Sequence, residues 1–400
     1  MKSFLISILL TILLYNSTTD SQWILSINDA GISLVSSGND IFYGTWFAGV
    51  YKSTNLGQSW AGTYFPPGNS VRALITNMYG IFAGTTYNGV YVTTNEGLNW
   101  ASMSNGLTLD QINTFTKIGN IIFVGGYSGV FSSTNNGLSW NSANNGLTNM
   151  YVYCLIAAGN NIFAGTLNGG IFLTTNNGLS WNPLNNGLTN LNISALAFNG
   201  NYVFAGTFGN GVFQSGANGS TWTPVNIGLN NLYIGSLTSS GNSIVVGTDT
   251  GGVYYSSNNG QSWMQKNEGL ISPLYFKSLL ISNNYIFAGI DNNIWKRPFY
   301  EITGIQPPKN TIPDKFSLSQ NFPNPFNPST MISYDIPIDG FVKITVYDFL
   351  GREVKTLVNE KQNPGSYQVQ FDGSNLASGV YFYKLQAGDF IQTKRMTMLK

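Results

Sequence analysis

STNNGLSW, residues 133–140, decides the fold, because the same eight-residue pattern stands at five other places along the chain. It is STNLGQSW at 53–60, TTNEGLNW at 93–100, TTNNGLSW at 174–181, SGANGSTW at 215–222 and SSNNGQSW at 256–263. The closing tryptophans, Trp60, Trp100, Trp140, Trp181, Trp222 and Trp263, lie 40, 40, 41, 41 and 41 residues apart. A period of about 40–45 residues with four short strands per unit is that of a β-propeller blade. In the unit before the second motif and across it, VRALIT (71–76), GIFAGT (80–85), NGVYVTT (88–94) and LNWASM (98–103) read as those strands, from innermost to outermost. Within the motif, Asn at the third position bonds local backbone and tolerates left-handed φ. The Gly two places on takes positive φ freely, and the Trp is expected to fold beneath the turn as an apolar plug.

Six motifs do not limit the chain to six blades. After the last motif, FKSLLIS (276–282), YIFAG (285–289) and NNIWKRPF (292–299) supply three further strands and no fourth. At the other end Trp23, in SQWILSIN (21–28), precedes Trp60 by 37 residues, close to the repeat distance. The spacing predicts that 21–28 is the outer strand of a seventh blade shared by both ends of the propeller. Six blades with loose ends is the alternative.

The rest of the composition fits an all-β chain. Of 400 residues 9% are charged and 14% aromatic, with 46 glycines, which suits short strands and tight turns rather than solvated helices. A net charge of +1, with the propeller's basic residues scattered, excludes nucleic acid as the expected partner. Lys2 followed by the apolar run FLISILLTILL (4–14) reads as a secretory signal, with cleavage between 17 and 22; the run is too short to span a bilayer, which takes roughly 20 residues. Cys154 is the single cysteine, so no intrachain disulfide forms, and it reads as a small core residue.

After residue 302 the style changes. TGIQPPKNTIPDK (303–315) reads as a linker, and ten of the eighteen basic residues lie from Lys309 onward. Runs at MISYDIP (331–337), VKITVYDF (342–349), SYQVQF (366–371), GVYFYKL (379–385) and QTKRMTML (392–399) predict a small Ig-like antiparallel β-sandwich. The expected organisation is a signal peptide at 1–21, a propeller at 22–302, a linker at 303–315 and a sandwich at 316–400.

Two resemblances follow from these segments. The repeated motif resembles the Asp-box (BNR-like repeat) of sialidases, sortilin-type receptors, xyloglucan-degrading propellers and photosystem assembly factors. Asn55, Asn95, Asn135, Asn176 and Asn258 stand where that family has Asp, and Ala217 does so in the fifth copy. Because the box recurs across unrelated activities, it implies a fold and not a function. The C-terminal segment resembles the type A sorting domain of the type IX secretion system of Bacteroidota. It carries FSLSQNFPNPFNPST (316–330), VKITVYDFLGREVKTL (342–357), LASGVYFYKLQAG (376–388) and KRMTMLK (394–400). That resemblance implies export across both membranes, removal of 316–400 by the secretion system's sortase, and a mature protein that is surface-attached or released. A sugar-binding or adhesive accessory sandwich is the alternative.

For activity, the motif resemblance raises the sialidase reading. Such enzymes clamp the substrate carboxylate with three arginines, and the propeller has only Arg72 and Arg297. A two-carboxylate glycoside hydrolase needs only an acid and a base or nucleophile. Of the acidic residues Asp29, Asp40, Glu96, Asp110, Asp249, Glu268, Asp291 and Glu301, Asp249 and Asp291 hold matching loop positions and are the catalytic alternative. With no histidine in the chain, Ser-His, Cys-His and His-metal sites do not arise. No cofactor and no metal site is expected. The expected ligand site lies on the face carrying the loops between second and third strands. Two residues past the Gly that ends each second strand stand Trp46, Thr86, Tyr127, Leu167, Phe208, Asp249 and Asp291, with Phe47 and Tyr87 adjacent. Aromatics and carboxylates so gathered suit a glycan or a protein ligand. An assembly or scaffolding role is a further alternative.

Overall fold

The computed structural model describes residues 22–28, 31–108, 111–271, 274–291, 293–304, 315–388 and 390–399. The expected signal peptide, Asp29, Asp110 and most of the expected linker lie outside the described residues. The chain divides into two compact units, Met1–Ile305 and Gln306–Lys400.

The first unit consists of seven four-stranded antiparallel sheets, here numbered as blades by their innermost strands. Blade 1 is Gly31–Ser37, Asp40–Thr45, Val50–Ser53 and Ala61–Gly62; blade 2 is Val71–Thr76, Ile81–Thr85, Val90–Thr93 and Ala101–Ser102. Blades 3 to 6 repeat this order from Ile112, Val152, Ile193 and Ile234. Blade 7 runs Phe276–Ser282, Tyr285–Ile290, Asn293–Pro298, and its fourth strand is Ile24–Asn28, antiparallel to the third. The innermost strands touch in sequence, and that of blade 7 touches that of blade 1, so the ring closes. The predicted sharing of the last blade between the two ends is thus observed.

Three details depart from the sequence reading, each for a physical reason. The outermost strands of blades 1 to 6 have only two residues. Beyond those pairs the chain bonds sideways: Trp140 N–H donates to the Asn105 carbonyl and Trp181 N–H to that of Asn145. The tryptophans therefore reach the preceding blade rather than only plugging their own turn. The indole Nε1 groups of Trp140, Trp181, Trp222 and Trp263 donate to the carbonyls of Met103, Ala143, Leu184 and Val225 at 2.7–2.9 Å. Trp23 does the same to Lys266 at 2.7 Å. The left-handed residue of the turn is the fourth, not the third: Leu56, Glu96, Asn136, Asn177 and Asn259 have φ of 55–58°. The third-position Asn instead serves as an acceptor, its Oδ1 receiving the Ser53 hydroxyl and the Ser59 N–H in the first copy.

Close blade-to-blade packing explains why each second strand has a glycine one residue before its end. A Cβ on Gly206 would lie 2.4 Å from Ile234 of the next blade, and one on Gly247 2.4 Å from Phe276. The glycine is a notch into which the first residue of the neighbouring innermost strand fits.

After blade 7 a short helix, Phe299–Thr303, packs against the second and third strands of that blade and buries Ile302. The strand expected through Phe299 thus ends at Pro298, after which the helix begins. The second unit is a sandwich of a three-stranded sheet (Ser317–Leu318, Ser329–Ile336, Gly365–Asp372) and a four-stranded one (Glu353–Gln362, Gly340–Tyr347, Gly379–Ala387, Phe390–Met398). Ile332, Ile344, Phe371, Tyr383, Leu385 and Met396 fill its core. The ten-residue strand Glu353–Gln362 went unread in sequence because its charged residues mask the alternation.

Candidate binding site at the centre of the propeller

Each innermost strand begins with the same irregularity. The register to the second strand slips between Gly31 and Ser33, Val71 and Ala73, Ile112 and Thr114, Val152 and Cys154 in blades 1 to 4. It slips likewise between Ile193 and Ala195, Ile234 and Ser236, Phe276 and Ser278 in blades 5 to 7. A bulge leaves one residue unpaired and re-aims its side chain. The seven bulged residues are Ile32, Arg72, Asn113, Tyr153, Ser194, Gly235 and Lys277, and all seven line one central cavity of about 370 Å³. Every blade therefore contributes to it.

Of the residues picked from sequence, Trp46, Phe208 and Asp249 line this cavity. Arg72 stacks on Trp46, its guanidinium carbon 5.0 Å from the ring centroid. Tyr153 and Phe208 meet edge to face with centroids 5.5 Å apart. The other picked residues stand elsewhere. Phe47 and Tyr87 are exposed at loop tips, Tyr87 with φ of 79°, a costly conformation for an aromatic residue. Tyr127 packs on Tyr151, centroids 4.2 Å apart, and does not line the cavity. Asp291 borders a separate depression beside Leu25, Asn28 and Trp295. Thr86 and Leu167 are half-buried and also outside the cavity lining.

The cavity holds ionisable groups in an uneven field. Burial raises the Asp249 carboxyl above its usual range, Lys277 and the Phe276 N–H pull it down, and Asp291 adds repulsion. Burial also raises the Tyr153 phenol against the pull of Arg72. Cys154, expected in the core, packs against core side chains of blades 4 and 5 yet also borders the cavity. Burial pushes its thiol up to about 12, so it is not a ready nucleophile. Among the described residues no group of three His, Cys, Asp or Glu side chains is placed to hold a metal ion.

Sequence reasoning missed the bulge ring. The available signal was variation inside a repeat. Aligned on the motif, the ring position changes from Ile to Arg, Asn, Tyr, Ser, Gly and Lys. Its preceding neighbour stays small or apolar throughout: Gly, Val, Ile, Val, Ile, Ile, Phe.

Comparison with known proteins adds to this geometry. Residues 320–398 match the family described as the secretion system C-terminal sorting domain. The C-terminal unit is a sorting domain. It marks the chain for type IX secretion, to the cell surface or outside. No helix among the described residues is long and apolar enough to cross a membrane. No curated protein matches the chain.

Solved structures share the propeller. PorZ of Porphyromonas gingivalis, described as an essential surface component of the type IX secretion system, aligns with a TM-score of 0.55 at 15% identity. The alignment covers 93% of this chain and 60% of PorZ, so the chain spans less than two thirds of that protein. YCF48 bound to D1 peptide aligns with a TM-score of 0.58 at 14% identity, over 69% of this chain and 96% of that one. An ancestral GH74 enzyme gives 0.54 at 19%, over 92% and 60% respectively. At such identities the likeness concerns the fold alone.

Proposed function

We propose that this chain is an exported, non-catalytic propeller that binds a glycan or protein ligand at its central cavity and the adjoining loops. The observation that carries the reading is the bulge ring. Seven repeats that otherwise agree each place a different residue at one cavity, six of them with a side chain, which is how a repeat scaffold builds a specific site. In this reading 1–21 is a cleaved signal peptide, 303–315 is a linker, and 316–400 is handled by the type IX machinery and its sortase.

Binding of the whole chain to glycan and peptide arrays tests the proposal, with a Trp46→Ala, Phe208→Ala double variant alongside. Wild type is expected to retain a ligand that the folded double variant loses by at least about tenfold, the range for removing aromatic anchors. Equal binding by both would place the site elsewhere. The raised Asp249 carboxyl favours a second reading, a hydrolase with Asp249 as acid. Against it, Asp291 borders a different depression and does not share the cavity. Turnover of an array-selected glycan that Asp249→Asn abolishes would establish that alternative.

A further inference from the structure

We infer that the central cavity seats an acidic sugar by its carboxylate, with Arg72 as the charge partner. The inference rests on the binding role proposed above and narrows its ligand. The Arg72 Nε is buried and has no hydrogen-bond partner among the described residues. Stacking on Trp46 holds the guanidinium plane in place within the cavity lining. Across the ring Ser194, 4% exposed, also has a buried Oγ without a partner. Both residues line the cavity, which places the guanidinium and this hydroxyl in its wall.

The charges select the acceptor. Arg72 and Lys277 face a single carboxylate, Asp249, leaving the cavity one positive charge in excess. One carboxylate neutralises that excess and matches the guanidinium fork in two parallel bonds. The remaining groups select what carries it. Asn113, Tyr153, Ser194 and Asp249 offer donors and acceptors around the wall, and Leu155, Leu196 and Leu237 add aliphatic surface. A uronate pyranose brings several hydroxyls to the polar wall and C–H faces to the apolar surface. A peptide terminus would bring one carboxylate and one amide and leave most of the wall unmet.

The chain has four arginines, Arg72, Arg297, Arg352 and Arg395, so the arginine Nε–H region of a nitrogen-correlated NMR spectrum is sparse. The Arg72 signal is assigned by its loss in Arg72→Lys. Titration with D-galacturonate or D-glucuronate should move that signal saturably, whereas methyl galactoside should bind at least about tenfold more weakly. Arg72→Gln should lose at least about tenfold in uronate affinity with its spectrum otherwise intact, and Arg72→Lys should lose less. An Arg72 signal unmoved by either uronate, or equal uronate binding by wild type and Arg72→Gln, overturns the inference. A stronger response to N-acetyl-alanyl-alanine than to either uronate also overturns it, in favour of a chain terminus. If the array ligand is neutral and still depends on Trp46 and Phe208, the binding role stands and only the carboxylate seat falls. If uronates move Arg72 while array binding ignores Trp46 and Phe208, the seat stands and the broader site does not.

Discussion

At the third position of the repeated motif a single side-chain oxygen organises the turn. Asn135 Oδ1 accepts the Ser133 hydroxyl at 2.8 Å and the Ser139 N–H at 3.0 Å, and the copies at 55, 176 and 258 do the same. Ala217 cannot, and Ser215 is left with a buried Oγ that has no partner among the described residues. Ala217→Asn should therefore stabilise the propeller by about 1 kcal/mol, the net worth of a recovered hydrogen bond, read as a higher Tm by calorimetry. An unchanged or lower Tm would show that the fifth turn, closed instead by Gly219 N–H on the Gly216 carbonyl, cannot accept the side chain. Asn and Gly in the motif announced a turn, yet nothing in them said which residue would be left-handed. The demand falls on the fourth position, where Leu56 and Glu96 meet it against their own preference, because the hydrogen bonds on either side require it. The binding residues divide in the same way. Trp46, Phe208 and Asp249 were legible because loop positions can be counted from a glycine. Arg72 and Lys277 were not, because a bulge is created by pairing with a second strand and leaves no mark in composition.

Among the elements, the strand Ile24–Asn28 has the largest task. Trp23 just before it is 2% exposed, donates its N–H to the Glu268 carbonyl and its Nε1 to that of Lys266, and packs against Val245, Val253 and Tyr255 of blade 6. On its other side Ser26 accepts the Trp60 indole at 2.9 Å and donates to the Gly57 carbonyl at 2.6 Å, binding blade 7 to blade 1. Trp23→Ala should cost roughly 3–5 kcal/mol, the range for a buried Trp, measurable by denaturant unfolding. A loss below about 1 kcal/mol would mean the strand does not hold the ring closed. The same corner responds to acid. Arg297, almost wholly buried, pairs with Glu268 at 2.7 Å and Glu301 at 3.3 Å. Partial burial raises the Glu268 carboxyl, but the hydrogen bond from Arg297, that from its own backbone N–H and the charges of Arg297 and Lys266 together outweigh it and hold the group below its usual range. Its contribution is complete above the ordinary Glu value of about 4.3 and fades as pH falls through the lower folded value. Tm should therefore drop on acidification below that point, and Glu268→Gln should flatten part of the drop. An identical acid profile in the variant would remove Glu268 from the account.

At the scale of the whole molecule, two units with separate cores answer two separate needs. The propeller core is built between neighbouring blades, and the sandwich core is closed by its own strands, with Tyr383 accepting the Asn321 N–H and donating to the Ser319 carbonyl. Ending the chain after residue 304 should leave a propeller with native circular dichroism and a cooperative melt. In a type IX-secreting host that shortened protein should stay within the cell envelope. Its appearance on the surface at normal levels would detach export from the sorting domain, and failure to fold would show that the two units are not independent.

The shared blade carries a consequence for how such a chain comes into being. Trp23 meets its carbonyl partner at Lys266 243 residues later in the chain. A ribosome releases the first long before the second, so the earliest strand must wait, unpaired, for almost the whole propeller to be synthesised. Bringing ends so far apart together is the slowest kind of contact to form, and it comes last. Until then blade 7 lacks its fourth strand and the edge of Asn293–Pro298 stays open to strangers. The ring thus measures its own completeness: a prematurely terminated chain lacks the partners that its first strand needs and stays open.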